Sequence, residues 1–172
     1  KDQITIKSQG LDRKLDDSKR AKIWGSVQLG TGDDRLHIKL NGQVSVYGDL
    51  AFGSGSDHLI NAGVLALPEE PKTNSYGNIL MGPGDDTVTT NSYISGSGYI
   101  DGGDDVGDVD TINFSALDTD KHHFSVGKVR NFELANQKRG RWDYDGDYKA
   151  AGIGTMTVEG GQFLVIDSEQ AT

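Results

Sequence analysis

Aspartates recur at matching places in a glycine-rich frame. Gly30 to Asp34 reads GTGDD, Gly53 to Asp57 reads GSGSD, and Gly82 to Asp86 reads GPGDD. A looser fourth copy runs through GGDD, Gly102 to Asp105, and ends at Asp110. Carboxylates repeated at one structural place support two kinds of chemistry. They can hold a divalent cation through oxygen ligands, or accept hydrogen bonds from the amides of a glycine turn. Asp34, Asp57 and Asp86 are therefore candidate calcium ligands. The fourth place belongs to Asp105 or Asp110, with Asp105 taken as the ligand. Asp33, Asp85 and Asp104 line up beside them, with Ser56 interrupting.

The remaining reactive groups are scattered. His37 and His58 fall at outward places in the frame. His122 and His123 stand in a charged stretch read as a loop. Asp143, Asp145 and Asp147 in RWDYDGDY open like a calcium-binding loop, but the glycine comes too early and no acid follows at the twelfth place. They read as outward acids of a turn beside a buried Trp142. There is no G-x-S-x-G elbow and no phosphate loop. The acids follow the repeat, whereas a glycosidic acid pair should break it. No residue receives a catalytic role. Candidate binding residues are those outside the repeat: Tyr93 and Tyr99, the basic cluster Lys138, Arg139 and Arg141, and the stretch Leu65 to Thr73.

The frame that positions these groups is a repeat. GSVQLGTGDDRLHI from Gly25, GDLAFGSGSDHLIN from Gly48, GNILMGPGDDTVTT from Gly77 and GSGYIDGGDD from Gly96 share one template, G-x-ϕ-x-ϕ-G-x-G-x-D-x-ϕ-x-ϕ. Alternation places Val27, Leu29, Leu36, Ile38, Leu50, Phe52, Leu59, Ile79, Met81, Val88, Ile100, Ile112 and Phe114 on inward faces. Glycine pairs make the corners. One unit is too small to bury its own apolar face, so units must stack, and a period near 20 residues is one turn of a β-solenoid. The expected fold is all-β, a right-handed parallel β-helix. Leu65 to Thr73, with Pro68 and Pro71, reads as an inserted loop, since proline cannot donate to a ladder. The expected divisions are 1–24, a strand and charged loop (Asp12 to Arg20); 25–125, the turns of the helix with insertion 65–73; and 126–172, C-terminal turns that cap the stack. Phe132, Leu134, Trp142, Met156, Val158, Phe163 and Val165 supply the apolar residues of that cap.

The chain of 172 residues has a formal net charge of −9 and no cysteine. The charge argues against nucleic acid and anionic membrane surfaces as partners. The absence of cysteine excludes a disulfide scaffold. Hydrophobic residues make up 34%, too few for a thick globular core.

The repeats resemble those of bacterial autotransporter passenger domains, G-x-V-x-L-G-x-G-D-D-T-ϕ-x-N, with Gly77 to Asp105 the nearest stretch. FSVGKVRNFELA (Phe124 to Ala135), WDYDGDY (Trp142 to Tyr148) and MTVEGGQFLVID (Met156 to Asp167) follow in the order of such passengers. The resemblance covers about residues 25 to 167. It implies a secreted or cell-surface protein, translocated through its own outer-membrane β-barrel and binding a host-cell protein or glycan, or further copies of itself. The fragment G-x-G-x-D-x-ϕ is also similar to half of the RTX nonapeptide. That implies a calcium-dependent β-roll as the alternative, although RTX units recur every nine residues. A polysaccharide-degrading enzyme is a third alternative, which two acids outside the repeat columns would support.

Overall fold

The computed structural model describes residues 2–6, 21–40, 43–70, 75–92, 94–116, 121–149 and 151–166. They form an all-β parallel solenoid of about five turns. The first face stacks Gln3–Ile6, Arg35–Ile38, His58–Asn61, Thr87–Thr90, Thr111–Ser115, Leu134–Arg139 and Thr155–Val158. The second stacks Val27–Thr31, Leu50–Ser54, Ile79–Leu80, Ile100–Asp101 and Val129–Arg130. The third stacks Ala21–Ile23, Gln43–Val46, Val64–Leu67 and Ile94–Gly96. A terminal sheet of Lys121–Ser125, Arg141–Asp145 and Gln162–Ile166 follows. All these pairings are parallel. Among the described residues the only helix is the 3-10 turn Val126–Lys128.

The register follows the template. Leu36, Leu59, Val88, Ile112 and Ala135 stack in one column. Leu50, Ile79, Ile100 and Val129 stack in another. Eleven of the thirteen inward residues are buried; Val27 and Leu29, on the edge strand of the second face, are half-buried against the same core. A third column, Ile38, Asn61, Thr90, Phe114 and Gln137, mixes apolar with polar side chains. Polar groups survive there because they find partners: Asn61 Nδ2 donates to Thr90 Oγ1 at 3.3 Å. Gln137 Nε2 donates to the carbonyls of Gly160 and Gln162 at 3.0 and 3.1 Å.

The corner glycines are fixed by stacking as well as by φ. Gly53 has φ +110°, and a Cβ there would lie 1.7 Å from the carbonyl oxygen of Gly30 in the preceding turn. A side chain would drive adjacent turns apart.

Three boundaries differ from the sequence reading. Ile100 opposes Ile79, so the fourth turn opens at Gly98, not Gly96. Gly102 then faces Met81 and Gly103 packs on Gly82. Residues Leu65 to Leu67 do not leave the solenoid. Leu65 and Leu67 are fully buried in the third face, because they continue its inward alternation. The excursion starts at Pro68 and contains an antiparallel pairing of Glu69–Glu70 with Ser75–Tyr76; Pro71 and Thr73 lie outside the described residues. In the C-terminal part Ala135, not Leu134, takes the inward place, and Val158 is exposed on an edge strand. The side chains of Phe163 and Val165 lie outside the described residues, as does the loop Asp12 to Arg20.

The Gly77 amide closes the excursion by donating to the Pro68 carbonyl at 3.3 Å. Replacing residues 69–75 with a short glycine linker should therefore leave cooperative unfolding intact and move Tm by only a few degrees. Extending the deletion to Ala66 and Leu67 should abolish the cooperative transition. Thermal denaturation followed by circular dichroism checks both.

Candidate functional site

The acids build a ladder at the corner between second and first faces. The amide of Asp34 donates to Asp57 Oδ1 at 2.6 Å, Asp57 to Asp86 Oδ1 at 2.7 Å, and Asp86 to Asp110 Oδ1 at 2.8 Å. The Asp110 amide donates to Glu133 Oε2 at 2.7 Å, and the Asp2 amide donates to Asp34 Oδ1. The sequence intervals across these rungs are 23, 29, 24 and 23 residues. Each carboxylate thus accepts from the backbone of the preceding acid in the neighbouring turn, not from glycines of its own turn. Asp110 takes the fourth place; Asp105 is exposed outside the column. The second row runs in the opposite sense. There the Ser56 amide donates to Asp33 Oδ1 at 3.3 Å and Val109 to Asp85 Oδ1 at 2.8 Å.

Burial decides the charge state of this ladder. Asp57, Asp86 and Asp110 are 0–1% exposed. Desolvation raises all three above the ordinary carboxylate range, the amide donor offsets part of that, and neighbouring acids add to it. Asp86 is pushed up to about 8 and Asp110 to about 7.

Calcium needs six to eight oxygens converging on one point. Here one oxygen of each acid is already committed to an amide. The second oxygens of Asp57 and Asp86 are buried in the stack without a hydrogen-bond partner. Among the described residues no three or more acids and histidines converge on a point that could hold a metal. The ladder does not fit a shared calcium site, and its own hydrogen bonds account for the repeat.

The other candidates separate. His122 and His123 lie in the strand Lys121–Ser125, not in a loop. His122 packs on Trp142 with ring centroids 4.8 Å apart, and His123 Nε2 meets Asp145 Oδ2 at 3.2 Å. Asp143 is buried rather than outward. Lys138, Arg139 and Arg141 gather around the Gly140 corner and are exposed. Lys138 pairs with Glu159, and Arg139 Nε donates to Ser115 Oγ at 3.1 Å. Tyr93 lies outside the described residues.

Tyr99 joins a site that the candidate residues did not otherwise include. At the corner between third and second faces a groove of about 610 Å³ runs across several turns. Trp24, Tyr47, Tyr76 and Tyr99 line it, with Asp49, Asn78 and Arg130. Trp24 and Tyr47 stack face to face, centroids 4.1 Å apart and 8° from parallel. The Arg130 guanidinium lies 3.7 Å from the Tyr99 ring centroid. Glycines keep the floor low: a Cβ on Gly48 would lie 2.4 Å from the Gly25 carbonyl oxygen. Its sequence signal is an aromatic residue just before the glycine that opens a unit: Trp24-Gly25, Tyr47-Gly48 and Tyr76-Gly77.

No protein-family model matches the chain, and no curated protein or solved structure shows significant similarity to it.

Proposed function

We propose that this chain is a secreted or cell-surface binding module, an autotransporter-type passenger domain that engages a host-cell surface protein or glycan and performs no catalysis. The observation carrying this reading is the aromatic groove. Trp24 is 56% exposed and Tyr76 42% exposed, at places where the stack needs no aromatic side chain. Large apolar rings left in water beside ordered polar groups are the composition of a recognition surface. A calcium-dependent β-roll and a polysaccharide-degrading enzyme have no comparable observation in their favour.

The test is saturable binding of the labelled chain to host cells, extracellular matrix and immobilised copies of itself. Wild-type chain should bind at least one of these surfaces. The double variant Trp24→Ala, Tyr76→Ala should lose most of that binding with Tm within a few degrees of wild type. Replacing Lys138, Arg139 and Arg141 together should reduce only the salt dependence of attachment. Absence of binding to every surface overturns the reading.

A further inference from the structure

We infer that the N-terminal end of the solenoid is an interface for a second copy of this chain, with the edge strands Val27–Thr31 paired antiparallel about a two-fold axis at Gln28. The inference goes beyond the surface-recognition reading and does not depend on it.

The core is open at this end. Ile4, Ile23, Val27 and Leu29 are inward residues on the edge strands of the three faces, and all are only partly buried. Leu36, Val46 and Leu50, the register partners of Ile4, Ile23 and Val27 one turn on, are 0% exposed. The approach is clear as well. A Cβ on Gly30 would meet nothing within 4 Å, whereas the same place one turn later, Gly53, is closed by the Gly30 carbonyl. The opposite end differs. There the Phe132 amide donates to the Ala151 carbonyl at 3.4 Å, and Tyr148 and Ile153 pack over the core.

Exposed edges are normally protected by charge, proline or a bulge. Gln3–Ile6 and Val27–Thr31 carry neither charge nor proline, and Ala21–Ile23 carries Lys22 alone. Val27–Thr31 has a strand neighbour on one side only, Leu50–Ser54. The Val27 amide points to that side, donating to the Asp49 carbonyl at 2.9 Å. Strand alternation therefore turns the N–H and C=O of Gln28 to the open edge.

This strand is complementary to itself. A two-fold axis at Gln28 sets that residue against the partner's Gln28, exchanging two backbone hydrogen bonds. It sets Val27 against the partner's Leu29 on the inward side, twice, and joins the two open cores. Standing normal to the second face, the axis also exchanges the first and third faces. The corner with the exposed Asp2 and Asp33 then meets the partner's corner with Lys22, so acid faces base across the junction. A strand from another protein could take the backbone bonds, but nothing would require it to match the Val27–Leu29 spacing and the opposite corner charges.

Sedimentation of the full chain from micromolar to near-millimolar concentration should show a reversible monomer–dimer equilibrium. The chain has no cysteine, so Gln28→Cys introduces a single thiol at the axis. Its twin would stand about 5.5 Å away by Cα, within disulfide reach, and mild oxidation should give a cross-linked dimer. Ala51→Cys, in the same outward column one turn further in, should not cross-link. Gln28→Lys and Gln28→Glu each set like charges face to face. Each should raise the dimer Kd about fivefold, with Tm at low concentration within a few degrees of wild type. Mixing the two variants should restore association as a heterodimer. A monomer at every concentration overturns the second copy as occupant. A dimer that ignores both charge variants, or that cross-links as readily through Ala51→Cys, overturns its placement at this edge.

Discussion

Trp142→Ala should cost about 3–5 kcal/mol and lower Tm by roughly 8–15 °C. The indole is fully buried in the C-terminal turns and lies 5.2 Å from Phe114 by ring centroids. Phe114 in turn meets Tyr144 edge-on at 5.0 Å and Phe124 at 4.7 Å. These rings fill the turns in which the first face places Ala135 and Gln137 inward, too small or too polar to fill them alone. Removing the indole opens a void bordered by Phe114 and His122. It also leaves the Arg139 carbonyl without the Nε1 donor at 3.1 Å. The control is Trp24→Ala, an equal change in composition at an exposed site, which should cost under about 1 kcal/mol. Urea denaturation of the pair checks the contrast; comparable losses would place Trp142 outside the cooperative core.

The second large effect is a pH dependence set by the acid ladder. For Asp57, Asp86 and Asp110 the folded state holds the proton more tightly than the unfolded chain. Such groups add stability that is fully present below the unfolded carboxylate range and is lost as pH rises through the folded values. Those values are about 7 for Asp110 and about 8 for Asp86, with Asp57 raised in the same sense. Stability should therefore fall between pH 5 and pH 8.5. His37 acts oppositely. Burial, then Lys39 and Arg35, hold it below its ordinary value, so its contribution is lost as pH falls through the imidazole range. Three buried acids outweigh one partly exposed imidazole, and Tm should be roughly 5–10 °C higher at pH 5 than at pH 8.5. Asp86→Asn keeps an acceptor for the Asp57 amide and cannot ionise, so it should flatten the profile and raise Tm at pH 8.5. Asp86→Ala should destabilise at both pH values, by about 1–3 kcal/mol, through the orphaned amide. A Tm that rises toward pH 8.5 would contradict the protonated ladder.

The solenoid was legible because its two strongest constraints are chemical and repeat: glycine where turns approach closely, and aspartate where an amide needs an acceptor. Frame errors arose where those markers are ambiguous. Gly96, Gly98, Gly102 and Gly103 offer several registers, and only the pairing of Ile100 with Ile79 chooses between them. Prolines at 68 and 71 made the preceding Leu65 and Leu67 look like loop, although the alternation Leu65–Leu67 was already strand. The aromatic groove was visible only in part. Its residues come from successive turns, and Tyr99 occupies a different template position from Trp24, Tyr47 and Tyr76. The ladder's direction could not be read at all, because it depends on which turn's amide faces which carboxylate.

That direction has a consequence for how such a chain can change length. Each internal turn gives one amide to the next carboxylate and receives one from the previous turn, so every rung is chemically equivalent at its two ends. Duplicating residues 34–56 in tandem would add a donor and an acceptor together and orphan neither. The chain can lengthen or shorten by whole turns with its corner hydrogen bonds balanced, while a partial turn breaks the series. A whole turn is therefore the unit by which this corner ladder can be extended or shortened with no amide or carboxylate left unmatched.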